Sequence, residues 1–581
     1  MKNNLRRASL VTVVTTVTLL VVIIMANLTV ARVSAAPRPT KTPLVPTPTS
    51  APAATYYVDC STAANGTGTQ ASPWNNLTTV NARTFAPGDS LLFKRGTTCT
   101  GFFYFSSAGT SSNRITIGAY GTGSLPIING NFAQAAVELM NPSYVTMKDL
   151  EVINGRTWGI LATTNVDGIS TGLTLQNLIV HHVTGGSYQP QSRKWTGLVV
   201  IAPGVVNLPQ NDTDGGLQWS WARLSHFDTV LIDNVNAYDT TLWGGIFVWG
   251  MQLEGDTSWK NHAQDRSRRS KNITIRNSTV HDTYGDGFAV YLSDNVLMEN
   301  NVVYRSGMEP AYPANPTGGT IGTPVALWYW AADGVTAQFN EAYDNHSPGV
   351  DGGAFDLDYF SSNGNYQYNY AHDNSAYCVA IFGAEGTPTV NSIFRYNICA
   401  SNGTQATLVN GTPKEGRGEI YICTWDRGSI DGFQVYNNTL YVTATVAVDW
   451  CPGRTARFGT KPMTFRNNLI VSTVQNPYGP ALSLFPWIRD YNLWYYTLGS
   501  IAADPSPEPH GLYDQNPLVN NLGYHGIGKP TTQWTIQTGS PAINSGINPC
   551  TGVTGCTPGT RDFFGNPIPV GAYDIGANEH P

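Results

Sequence analysis

Asp356 and Asp358 stand two residues apart in the run Phe355-Asp356-Leu357-Asp358. In a strand of period two, both carboxylates face one side when Phe355 and Leu357 face the other, with α-carbons about 6.6 Å apart. Two carboxylates this close cannot both ionise freely, so one should hold a proton near neutral pH. That arrangement suits glycoside hydrolysis, in which one carboxyl protonates the leaving oxygen and the other activates water. A carboxyl separation of about 6.5 to 9.5 Å accompanies inversion and about 5 Å retention, so the spacing leans to inversion. Glu385, ahead of Gly386, is the expected third catalytic carboxylate. Asp333 and Asp426 fall at the matching place three residues past a strand, although Asp333-Gly334 is also a turn dipeptide.

The strands around this pair align by their inward apolar residues. The inward pairs read Ile246 and Val248, Phe288 and Val290, Leu327 and Tyr329, Phe355 and Leu357, Val379 and Ile381, Ile420 and Ile422, Val446 and Val448. The outward residues are then Phe247 and Trp249, Ala289 and Tyr291, Trp328 and Trp330, the two Asp, Ala380 and Phe382, Tyr421 and Cys423, Asp449 and Cys451. Neighbouring coils lie about 4.8 Å apart, so this becomes a wall of solvent-exposed rings around the carboxylates. A sugar offers an apolar C–H face to such rings, and a glycan groove follows. Trp249, Tyr291, Trp328, Trp330, Asp333, Phe382 and Arg427 are its expected substrate-binding residues. The competing arrangement is rings stacked under a covering loop, with the Asp residues binding turn amides. The register also places Cys423 and Cys451 in one column of adjacent coils, within reach of a disulfide. His281 and His372 align with Tyr238, Tyr304 and Tyr343 on another strand and are expected to stack there as structure.

What positions these residues is a repeat. The segments Asn272–Val280, Val296–Val303, Val335–Ala342, Phe433–Leu440 and Met463–Ile470 each give an alternating strand, then Asn or Asn-Asn, then a second short strand. An Asn recurring at one corner can stack on its neighbour and hydrogen-bond the turn backbone, as in a parallel β-helix. The corners recur at about 23 to 41 residues because longer loops, Tyr188–His226, Trp249–Ser270 and Met308–Thr323, interrupt some coils and would wall a cleft.

Tyr56-Tyr57-Val58-Asp59, Ser72-Pro73-Trp74, Pro87-Gly88-Asp89 through Gly96, and Ile127-Ile128-Asn129-Gly130 resemble the N-terminal cap and first coils of pectate-lyase-like β-helix proteins. Gly539-Ser540-Pro541-Ala542-Ile543, Asp562-Phe563-Phe564-Gly565-Asn566 and Tyr573-Asp574-Ile575-Gly576-Ala577 are similar to their closing segment. The resemblance implies an all-β, right-handed parallel β-helix, a solenoid with an N-terminal cap and loop insertions. It specifies activity weakly, because such folds carry lyases, hydrolases, epimerases and non-catalytic surface proteins. Polygalacturonases cluster Asp residues on such a strand, but their full motif is missing here. The expected organisation is a signal peptide over 1–35, a Pro/Thr-rich linker over 36–54, the capped helix over 55–490, and final coils with a closing segment over 491–581.

Lys2, Arg6 and Arg7, an apolar run from Val11 to Leu28 and Val33-Ser34-Ala35 make an export signal, with retention as an anchor the alternative. Its cleavage removes four of the 33 bases and none of the 39 acids, taking the formal net charge from −6 to about −10. An acidic chain of this kind is no nucleic-acid binder. Eight Cys in an exported chain point to disulfides rather than metal ligands, with Cys60–Cys99 and Cys550–Cys556 further plausible bridges that leave Cys378 and Cys399. The expected product is a secreted, monomeric enzyme with a polysaccharide partner, no cofactor and no membrane insertion. A polysaccharide lyase is the alternative, with Ca²⁺ on Asp356, Asp358 and a rim carboxylate and with Lys414, Arg417 or Arg427 as base. A non-catalytic glycan-binding surface protein would explain the rings but not the paired carboxylates.

Overall fold

The computed structural model describes residues 52–184, 196–204, 225–250, 266–308, 323–347, 351–384, 386–403, 407–409, 412–414, 417–451 and 453–581, the short pieces 407–409 and 412–414 in backbone only. Ala53–Pro581 is one compact unit; of the other, Met1–Pro52, only Pro52 is among the described residues. The signal peptide, almost all of the linker and most of the three expected loops therefore lie outside them.

Alternating β-branched and polar residues make short strands here, and the strands of the coils pair in parallel with the equivalent strands of the next coil, while Thr407–Val409 and Thr412–Lys414 form a separate antiparallel pair. One face is an 11-stranded parallel sheet that includes Gly244–Trp249, Phe288–Tyr291, Leu327–Trp330, Phe355–Leu357, Val379–Gly383, Ile420–Thr424 and Val448–Trp450. The pairing Ile246↔Phe288↔Leu327↔Phe355↔Val379↔Ile420 matches the alignment of inward residues. All six are fully buried. The last strand departs from it by two residues: Ile420 and Ile422 pair with Val448 and Trp450, not with Val446 and Val448. Val446 lies ahead of the strand, where its carbonyl accepts from the Glu419 amide, so hydrogen bonding fixes the phase that apolar type alone left ambiguous.

The other faces close the coil around the same core. Ile273, Val296, Val335, Tyr366, Phe394, Val435 and Phe465 point in from one, and Val280, Val303, Ala342, Ala371, Cys399, Leu440 and Ile470 from the other. Between these faces runs the asparagine ladder. Nδ2 of Asn301 donates to Oδ1 of Asn340, and the same bond links Asn340 to Asn369, Asn397, Asn438, Asn468 and Asn492, each at 3.0 Å. Buried Glu508 ends the row, accepting from the Asn492 amide and Nδ2. A second row, Asn345, Asn374 and Asn402, ends on buried Glu419 at 2.7 Å. The residue before each rung takes positive φ whatever its type. It is Asn300 or Asn467 in some coils and Phe339, Tyr368 or Tyr396 in others.

Those aromatic corners lie where the C-terminal segment folds back. Phe339 stacks on Tyr368, and Tyr368, Tyr396 and Tyr436 share a cluster with Trp534 and Phe563. Four disulfides join Cys60–Cys99, Cys378–Cys399, Cys423–Cys451 and Cys550–Cys556, with the predicted in-column pair at a Cα separation of 5.1 Å. Four such bonds fit an oxidising compartment. No described helix is long and apolar enough to cross a membrane.

Candidate active site

Two columns of outward side chains run along the 11-stranded face. The first is Phe247, Ala289, Trp328, Asp356, Ala380, Tyr421, Asp449. The second runs from Trp249 through Tyr291 to Trp330, and from Phe382 to Cys423, with Asp358 between them one residue past Leu357. Its amide still donates to the Tyr329 carbonyl at 3.3 Å, so it keeps the strand's direction. Over both columns lies a cavity of about 1170 Å³, lined by Trp249, Tyr291, Trp328, Trp330, Asp356, Asp358 and Phe382 among others.

The rings are not the solvent-exposed wall that alternation suggests. Trp249, Tyr291, Trp328, Phe382 and Tyr421 are all buried, and Trp330 alone of the expected aromatic binders is half-buried. Trp249, Tyr291 and Trp328 belong to a cluster of their own outside the sheet, which also takes in Trp158, Trp243 and Val325: Trp249 stacks on Tyr291 at 3.7 Å and Tyr291 meets Trp328 edge-on at 5.1 Å. Trp249, Tyr291, Trp328, Trp330, Phe382 and Tyr421 all line the cavity. Among the described residues neither the Trp249 Nε1 nor the Tyr291 hydroxyl has a hydrogen-bond partner. Burial, with Asp286 and Asp358 adding to it, holds the Tyr291 hydroxyl well above the ordinary phenol range.

Two expected substrate binders lie elsewhere. Asp333 opens the next face, because Ala331 takes positive φ and turns the chain away. There it pairs with Arg266 and accepts from Ser362 and from Asn363 at 2.7 Å. Burial would raise its pKa, but these bonds outweigh it and lower it. Arg427 is exposed at the tip of a tight turn closed by the Gly428 amide on the Trp425 carbonyl, and it is Trp425 that lines the cavity. Asp426 shares that tip. Glu385 lies outside the described residues, as does the side chain of Lys414.

The cavity also brings in Asp351, Arg417, Asp449 and Arg454. Asp449 stands in the outward column as aligned. Asp351 sits in the glycine-flanked entry to its strand, where period two does not hold, so alternation gives no sign of it. Buried Tyr377 marks where the charges converge: burial raises its pKa well above the usual value, Asp351, Asp356 and Asp358 add to that, and Arg417 opposes it. His281 and His372 lie away from the cavity, in a continuous stack with Tyr238, Tyr304 and Tyr343 at 4.6 to 5.1 Å.

The family model for right-handed β-helix regions matches residues 265–440, the stretch that carries Asp356 and Asp358. The fold is a right-handed parallel β-helix. Among curated proteins, the lacto-N-biosidase of Bifidobacterium longum subsp. longum is 26% identical, over 68% of this β-helix chain and 31% of that protein. The chain thus spans about a third of the length of this relative. Among solved structures, GH136 lacto-N-biosidase from Eubacterium ramulus is similar in its selenomethionine and native forms, with TM-scores of 0.52 and 0.51 and identities of 20% and 19%. Each match covers 76% of this chain and 68% of that one, and it is a likeness of fold.

Proposed function

We propose that the chain is a secreted, monomeric glycoside hydrolase that cleaves a glycan lying along the 11-stranded face, with Asp356 and Asp358 as its acid and base. The observation that carries this is a cavity lined by both carboxylates, Asp356 on its strand and Asp358 one residue past it, and by the aromatic rings around them. The likeness to a lacto-N-biosidase supports the reaction class and puts that enzyme's oligosaccharides first in a substrate panel. The i, i+2 spacing of the pair supports inversion. Asp351 is a third carboxylate at the same cavity.

The test is kinetic. Asp356→Asn and Asp358→Asn should fold and lose about 10² to 10⁴ in kcat, the contribution of general acid–base catalysis, with KM little changed. Near-wild-type turnover in both sinks the assignment. Turnover kept in Asp356→Asn and lost in Asp351→Asn would make Asp351 and Asp358 the pair, and the inverting assignment would fall with it. Proton NMR of the first-formed anomer reads the stereochemistry directly. The reaction should release new reducing ends and continue in chelator. Strong ultraviolet absorbance from an unsaturated product, together with arrest by chelator, would instead identify a Ca²⁺-dependent lyase.

A further inference from the structure

The cavity is electrostatically lopsided along the helix axis. Its upstream strands supply Trp249, Tyr291, Trp328 and Trp330, and its downstream strands supply Arg417 and Arg454. Arg417 precedes the strand Ile420–Thr424, and its guanidinium carbon lies over the Tyr421 ring, 4.1 Å from its centre. That ring is itself parallel to Tyr377, 3° between planes, at 5.8 Å. A guanidinium laid on an aromatic face has its orientation fixed while its N–H edge stays open for a planar, two-oxygen partner. Among the described residues Arg417 has no ion pair, and its guanidinium makes no hydrogen bond. Asp449, the carboxylate on the adjacent coil, is turned to backbone amides, accepting from Trp450 at 2.7 Å and from Gly418 at 3.4 Å. Arg454 is exposed and likewise has no ion pair among the described residues.

From these contacts the geometry points to an anionic-substituent subsite: Arg417, supported by Arg454, binds a carboxylate, sulfate or phosphate carried by the glycan. The inference rests on the glycan-groove reading above and adds to it a substrate class. The strand of Arg417 is two steps from that of Asp356, through Ala380 and Tyr421, or about 10 Å, which places the anion roughly two sugars from the bond that is cut. The three Asp residues around Tyr377 repel an anion placed nearer. The same groove thus discriminates by position: it accepts negative charge at its downstream end and rejects it at the centre.

The test is a binding measurement, independent of turnover. Isothermal titration compares three probes, each four to six sugars long: a neutral oligosaccharide, the same molecule with one primary alcohol oxidised to a carboxylate, and the same molecule sulfated there. The wild type should bind an anionic form about tenfold more tightly than the neutral one, and added salt should erode the difference. Arg417→Gln should remove the preference, and Arg417→Lys, a point charge without the fork, should keep part of it. Whether carboxylate or sulfate gains more identifies the anion. Equal affinity for neutral and anionic probes in the wild type, or an undiminished preference in Arg417→Gln, overturns the subsite and leaves the hydrolase reading standing. Failure to bind any of the three overturns the groove itself.

Discussion

Trp328 and Trp330 sit on one strand and both reach the cavity, but they differ in what else holds them. Trp328 is 4% exposed inside the outer aromatic cluster, whereas Trp330 packs on that cluster's margin, edge-on to Tyr359 and Phe360. Trp328→Ala should therefore cost about 3 to 5 kcal/mol in denaturant unfolding, the loss typical of a buried ring. Trp330→Ala should cost less stability and appear in the kinetics, with KM raised and kcat kept, since stacking serves ground state and transition state alike. The reverse ranking would mean that Trp328 rather than Trp330 is the substrate platform. That both point outward was legible because Leu327 and Tyr329 are so plainly inward. How deeply Trp328 is covered was not, because it packs into an outer cluster assembled from several coils and loops, with Tyr291 edge-on against it. Asp333 and Arg427 went astray for a related reason: alternation carries no phase through a turn with positive φ.

The ladder is legible as an element because a corner that needs a buried donor and acceptor at once leaves few residue types besides Asn. Asn369 shows what one rung does: Nδ2 bonds the Ala337 carbonyl and Asn397, and Oδ1 takes the Asn340 amide and Nδ2. Asn369→Ala orphans several buried groups at about 1 to 3 kcal/mol each, so thermal or denaturant unfolding should show one of the largest single-site losses in the protein. Asn272 belongs to an exposed column, with bonds to Asp228 and Asn295 and a positive φ. Asn272→Gly keeps that backbone and should change stability by no more than about 0.5 kcal/mol. Comparable losses at both sites would show that the buried row has no special weight. The aromatic corners at Phe339, Tyr368 and Tyr396 were hidden in the sequence because they replace Asn only where the distant C-terminal segment covers them.

At the scale of the whole molecule, the ends of the ladders make stability depend on pH. Glu419 is fully buried and its pKa is pushed from 4.5 to about 8, burial being the main cause and the bonds from Asn402 opposing it. The unfolded chain ionises this acid near 4.5 while the folded one keeps the proton, so its contribution is complete below pH 4.5 and is lost as pH rises to about 8. Glu508 shifts the same way, and Glu579, raised to about 7 by burial, adds to the trend. Melting temperature should fall from pH 5 to pH 8, and Glu419→Gln, which imitates the protonated acid, should flatten the fall. An unchanged slope in that variant would assign the trend to other groups. The last rung before Glu419 is Asn402, followed by Gly403, the dipeptide most open to spontaneous deamidation. Cyclisation needs the Gly403 nitrogen to reach the Asn402 side chain, yet that nitrogen is bonded to the Asn374 carbonyl and the side chain is held by Asn374 and Glu419. The site can age only when the coil opens, and the carboxylate left behind would then face Glu419 in a sealed interior, so the coil would not close again as it was. Storage lifetime should thus follow how often this end of the row frays.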